Sequence, residues 1–112
     1  MNYMIAPGII EREKTILSIQ KNISDYFNIP IEQMNLPTRK REIVEARQIA
    51  MFFARFETKK SLATIGNCLG DKDHATVLNA IRTIRNIIAT DKQFKNQMLN
   101  IQKRFGFLNT IL

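Results

Sequence analysis

The chain is poor in the residues that most enzyme and secreted classes require. It has one cysteine, Cys68, and one histidine, His74, among 112 residues. That leaves no set of three or four nitrogen and sulfur ligands for a zinc ion. A lone cysteine excludes an internal disulfide and suits a reducing, cytoplasmic compartment. Only four glycines are present, and none begins the G-x-x-x-x-G-K-[ST] run that cradles nucleotide phosphates. No apolar stretch approaches the roughly 20 residues needed to cross a bilayer. The first residues lack the basic start and long apolar run of a signal peptide. No segment alternates with a period of two, and there is no internal repeat or low-complexity tract.

What is abundant is positive charge. Seventeen Lys and Arg face ten Asp and Glu, for a net charge of +7. The excess is uneven: residues 1–35 carry a net −1 and residues 36–112 a net +8. Such asymmetry suits a polyanionic partner, because neutralising phosphates releases condensed counterions. Its plain counterpart is a solvated surface kept soluble by charge. Apolar residues make up 45% of the chain, enough for one core without metal or disulfide.

Apolar spacing predicts helix nearly throughout. Ile16, Ile19, Ile23, Tyr26 and Phe27 share one helical face, and Asn28 with Pro30 ends it. Pro30 opens a short helix through Met34, closed by Asn35 and Pro37. Thr38, Arg39, Lys40 and Arg41 form a basic connector. A longer helix from about Glu42 repeats Ile43, Ala46, Ile49, Ala50, Phe53 and Phe56, with Glu45, Arg47, Gln48 and Arg55 on its other face. Ser61 caps a short helix whose inward residues are Leu62, Ile65 and Leu69, and Gly70 stops it. The next helix begins around Asp73 and is marked by Val77, Ile81, Ile84 and Ile88. A last one is expected to open at Thr90, with Gln93 three residues on as in a capping box, and to run through Phe94, Met98, Ile101 and Phe105.

Residues 61–88 hold the informative arrangement: a short helix, a glycine-containing turn and a longer helix, the helix-turn-helix pattern. In that motif the second helix leads with its N-terminal residues into the DNA major groove. Here those are Lys72, Asp73, His74, Ala75 and Thr76, all polar or small. The turn is longer than in compact repressors, and many helical hairpins are simply core architecture.

The run from Arg47 to Ile84 carries a more specific signal. It contains Arg47-Gln48-Ile49-Ala50-Met51, then Ser61-Leu62 with Ile65-Gly66 and Leu69-Gly70, then Asp73-His74-Ala75-Thr76-Val77. These blocks, in this order and spacing, resemble the C-terminal DNA-binding domain of the bacterial replication initiator DnaA. The resemblance implies an all-α fold of about six helices with a Trp-repressor-like helix-turn-helix. It implies one domain over residues 1–112, with the core of the likeness at 16–105. It implies a partner, double-stranded DNA bearing a DnaA-box-like site, and a cytoplasmic, nucleoid-associated setting in replication initiation or its regulation. Other replication or regulatory proteins are further partners on this view. No cofactor, metal or catalytic residue is expected.

The resemblance also assigns roles. Asp73, His74 and Thr76 would read base edges, and Arg39 would enter the minor groove from the basic connector. Arg47, Gln48 and the Ser61-Leu62 helix start would contact the phosphate backbone. Arg41, Lys72, Ala75 and Asn79 complete the expected DNA-binding set. Ala75 stands where the family has Ser or Thr, losing a hydroxyl, and Lys72 stands where arginine is common. Both departures bear on which site is preferred. Without a phosphate loop, ATP binding, origin melting and oligomer formation do not carry over. The chain is either part of an initiator or a free-standing module, and its starting methionine and unrelated first ten residues favour the module.

Other classes give different expectations. Cys68, six positions before His74, is expected as a small buried side chain rather than half of a nucleophilic pair. The amphipathic stretch Arg12–Phe27, with Lys14 and Lys21 opposite its apolar stripe, could lie on an anionic membrane or a protein partner, although Glu11, Glu13 and Asp25 dilute its charge. RNA binding would call for exposed aromatics, whereas Phe52, Phe53, Phe56, Phe94 and Phe105 are expected to face inward.

Overall fold

A helix that packs on several sides must bury more than one stripe, and the third helix of this protein does so. In the computed structural model, which describes residues 14–108 and 111, the elements are α1 (Ile16–Phe27), α2 (Ile31–Met34), α3 (Arg41–Glu57), α4 (Leu62–Cys68), α5 (His74–Thr90) and α6 (Lys92–Arg104). There are six helices and no strands among the described residues, the all-α architecture that the apolar spacing implies. Helix α3 buries Ile43, Ala46, Ile49, Ala50, Met51, Phe52, Phe53 and Ala54, so its second half is enclosed almost all round. It packs against α1, α2, α4 and α5. Phe52 and Phe53 are essentially inaccessible, and each such ring contributes about 2–3 kcal/mol by burial.

The surrounding helices present single stripes to this centre: Ile16, Ile19 and Ile23 from α1, Val77, Ala80, Ile81 and Ile84 from α5, and Phe94, Met98 and Ile101 from α6. The C-terminal segment closes the core, with Phe107 packed on Phe53 at 4.8 Å between ring centroids and Ile111 buried. Helix ends follow local chemistry. Asn28 adopts a left-handed φ of 56° after α1, and the Ser61 hydroxyl accepts from Thr64 N–H at 3.1 Å to open α4. The last helix starts one residue later than expected. Thr90 ends α5, its hydroxyl donating to the Asn86 carbonyl, while the Asp91 carboxylate caps α6 by accepting from Gln93 and Phe94 N–H. A carboxylate is the stronger cap, because it also meets the positive end of the helix dipole.

Two expectations are corrected here. Cys68 is exposed: it falls on the last turn of a seven-residue helix, whose inward positions are taken by Ile65 and Gly66 with Leu69 just beyond. Arg47 is inside, at 5% exposure, instead of on the outer face of α3, because the chain following α2 folds over it.

Candidate nucleic-acid interface

The turn joining α4 to α5 runs over Leu69–Asp73 and reverses through two left-handed residues, Gly70 at φ 93° and Asp71 at φ 55°. It lies hard against α4, with Lys72 N–H donating to the Gly66 carbonyl at 2.8 Å. A Cβ at Gly66 would stand 2.1 Å from the Lys72 carbonyl oxygen, which no side chain tolerates. Gly66 therefore permits the close approach that sets how α5 leaves α4.

Helix α5 begins with a capped tip. Asp73 Oδ1 accepts from Thr76 N–H at 2.8 Å. Its carboxyl is held below the usual value by that bond first, then by the Thr76 side chain, with the His74 charge adding. Asp73 and Thr76 thus partly satisfy each other. His74 and Ala75 are exposed between them, as is Asn79 one turn on. A carboxylate at a helix tip opposes phosphate but can accept from a cytosine amino group.

Two shallow concavities lie between α5 and the start of α3 with its basic connector. One, of about 150 Å³, is lined by Arg47 and Gln48 of α3, Lys72 of the turn, and Thr76 and Asn79 of α5. The other is lined by Arg39 and Arg41, by Glu45 and again Gln48 of α3, and by Ile87 far along α5. Both include Val44, so they form one strip. Residues from Arg39 to Asn79 thereby share a single face. Ser61 and Leu62 line neither concavity: Ser61 is exposed at the start of α4, and Leu62 is half-buried against the core.

Arg47 has a different surrounding from the other basic residues. Its Nε donates to the Met34 carbonyl at 2.6 Å and its Nη2 to the Leu36 carbonyl at 2.7 Å. Burial lowers the pKa of its guanidinium. Arg47 also lines the smaller concavity. Arg82, absent from the sequence-based set, is exposed on α5 three residues beyond Asn79 and four beyond the partly exposed Leu78. Helical spacing from His74 through Leu78 is the signal that could have found it.

The rival reading of the first helix finds its features already used. The apolar stripe of α1 is buried in the core. Lys14 donates to the Phe105 carbonyl at 3.4 Å and sits 5.8 Å from the Phe107 ring centroid. Arg12 and the two glutamates before Lys14 lie outside the described residues. No described helix is long and apolar enough to cross a membrane.

Residues 16–84 match the model of the bacterial DnaA protein helix-turn-helix. The chain belongs to that family. It is 53% identical over 97 residues to the chromosomal replication initiator protein DnaA of Flavobacterium psychrophilum, covering 87% of this chain and 20% of that protein. The namesake of the Wolbachia strain from Brugia malayi is 45% identical over 94 residues, 84% of this chain and 20% of its own. That of Bacteroides thetaiotaomicron is 38% identical over 101 residues, 88% of this chain and 22% of its own. The chain thus spans about a fifth of the length of these curated relatives. The matched span ends at Ile84 and includes both helices of the motif up to the last turns of α5.

Proposed function

We propose that this DnaA-family domain binds double-stranded DNA at a DnaA-box-like site, with the N-terminal end of α5 in the major groove and Arg39 in the neighbouring minor groove. The observation that carries this reading is the continuous strip joining Arg39 and Arg41 through Gln48 to Lys72, Thr76 and Asn79. It supplies cations for phosphates beside an exposed helix tip for base edges. Base reading falls first to His74 and Ala75, whose side chains are not spent on the cap, with Asp73 and Thr76 beside them. Gln48, Arg41, Lys72 and Asn79 hold the backbone, joined by the Ser61-Leu62 helix start. An arginine suits the narrow, electronegative minor groove of A·T-rich flanks.

The relatives are named as chromosomal replication initiators, and a role in initiation or its regulation follows on this view. So do a cytoplasmic, nucleoid-associated setting and contacts with other replication or regulatory proteins. Selection of bound duplexes from a random pool, run with the parent and with His74→Ala, tests the reading. The parent should enrich one site with an A·T-rich flank, and the variant should lose preference at one or two adjacent base pairs while still binding at low salt. A parent that enriches nothing, or a variant with an unchanged site, overturns it.

A further inference from the structure

We infer that Arg47 is a positioning residue: it holds the Arg39-bearing connector in register with the recognition helix and so sets flank selectivity without reading DNA itself. The inference rests on the proposed DNA-binding reading and deepens it.

A chain of hydrogen bonds leads from Arg47 to both neighbours of Arg39. The guanidinium grips two carbonyls, Met34 and Leu36, at 2.6 and 2.7 Å. Between them Asn35 is held separately, its Oδ1 accepting from Gln20 Nε2 of α1 at 2.7 Å. Three consecutive residues are therefore latched to α3 and α1. The Leu36 carbonyl also accepts from Thr38 N–H at 2.8 Å. The Thr38 hydroxyl in turn accepts from Lys40 N–H at 3.2 Å. Pro37 fixes one torsion of the same stretch. Arg39 lies three residues past Leu36, within about 10 Å of extended chain, and each peptide flanking it is tied back toward the guanidinium.

The same side chain touches the other reading element. A Cβ placed at Gly70 would lie 3.6 Å from each of Arg47 Nε, the Asn35 carbonyl oxygen and Lys72 Cε. The motif's turn therefore passes directly over the pinned residues, and the guanidinium sits at the junction of connector, α3 and turn. Burying a cation is costly unless its donors are satisfied. The planar fork suits two carbonyls set by different residues, whereas an ammonium acts as a single point charge. An apolar residue could fill the volume, but it would take this donor from the Met34 carbonyl and leave the Leu36 carbonyl with the Thr38 N–H.

The test compares affinity for one core site with A·T-rich or G·C-rich flanks, using the parent, Arg47→Lys, Arg39→Ala and the double variant, with thermal unfolding of each. Arg47→Lys should reduce the A·T flank preference at least about fivefold, the lower end of what one mismatched base pair costs. The double variant should show no more loss of preference than Arg39→Ala alone, because one residue acts through the other. Equal weakening on both flanks with a lower salt slope would make Arg47 a phosphate contact and overturn the positioning role. A lower melting temperature with intact flank preference would overturn it equally. A parent without any flank preference overturns the minor-groove reading of Arg39, a failure distinguishable from the preceding two. Should Arg47→Lys not fold, Thr38→Val cuts the same chain of bonds farther out. It should lower the flank preference in the same direction, and an unchanged preference there overturns the inference.

Discussion

Arg47 and His74 belong to the same run of signature residues, yet their surroundings are opposite. Arg47 is 5% exposed and its guanidinium grips two backbone carbonyls; His74 is exposed at the tip of α5. Gly66 and Gly70 fall with Arg47, one allowing the turn to touch α4 and the other taking a left-handed φ. Ala75 and Asn79 fall with His74. A family pattern therefore mixes two kinds of residue. One kind makes the geometry, and its replacement is felt in the fold and, through the fold, in binding; the other presents chemistry, and its replacement is felt in binding alone.

The sharpest way to break this division is Gly66→Ala. Its methyl would meet the Lys72 carbonyl oxygen at 2.1 Å, and backbone must move to admit it. Overpacking of this kind costs about 3 kcal/mol, visible as a large drop in the urea midpoint. A loss below about 1 kcal/mol would mean that the turn yields easily and that Gly66 makes no geometry.

Arg39→Ala examines the other side of the comparison. Arg39 is exposed, so the melting temperature should hardly change. Binding to duplexes with A·T-rich flanks should weaken by about 2 kcal/mol, and binding with G·C-rich flanks by less. Equal losses measured by fluorescence anisotropy would return Arg39 to the general phosphate contacts.

Ala75→Thr is expected to act more weakly and only on choice of site. The position is exposed on the first turn of α5, so threonine costs only a few tenths of a kcal/mol in helix propensity, about 0.5. Its hydroxyl restores the donor and acceptor expected by the family pattern, shifting preference at one base pair by about 1 kcal/mol. A destabilised variant with unaltered preference in duplex selection would place Ala75 among the residues that make geometry.

The sequence makes this division only partly legible, for physical reasons. Helices and most caps are local, so Ser61, Asn28 and Asp73 are readable from residue type and spacing. Arg47 is not. A helical wheel sends a lone cation outward, and only the fold of residues 34–36 over α3, thirteen and eleven positions away, supplies its carbonyls. The apolar repeat omits Met51 and Ala54 because α3 is enclosed almost all round, where a single-stripe pattern fails. Gly66 sits in ordinary helix; the demand for glycine comes from Lys72 across the turn. Composition alone sends Cys68 inside, but a helix of seven residues has too few inward positions. At the candidate interface the residue types are readable, while their sharing of one strip requires the tertiary packing of α3 against α5.

The smallest expected effect lies at Asp73, which stands on the border between the two kinds. Its carboxylate caps α5 and, on the proposed reading, also faces DNA. The folded-state pKa is lowered from 3.8, chiefly by the Thr76 N–H bond. An unfolded chain therefore takes up this proton at higher pH than the folded one. The contribution of the cap is complete above 3.8 and is lost as pH falls below that value through the lower folded pKa. Asparagine at this position would be neutral yet still a good cap, since its amide oxygen also accepts from the third residue of the helix. For Asp73→Asn, the melting temperature at about pH 6 should therefore stay close to that of the parent. The fall as pH drops below 3.8 should be smaller in the variant, because one titrating group with a depressed pKa is gone. Nine other Asp and Glu side chains remain, so only the difference between the two proteins is informative. The same variant removes negative charge from a helix tip and should bind non-specific duplex slightly more tightly, while discriminating less at one base pair. Identical acid profiles would mean that the cap contributes nothing through its charge. Unchanged discrimination would assign Asp73 wholly to the residues that make geometry.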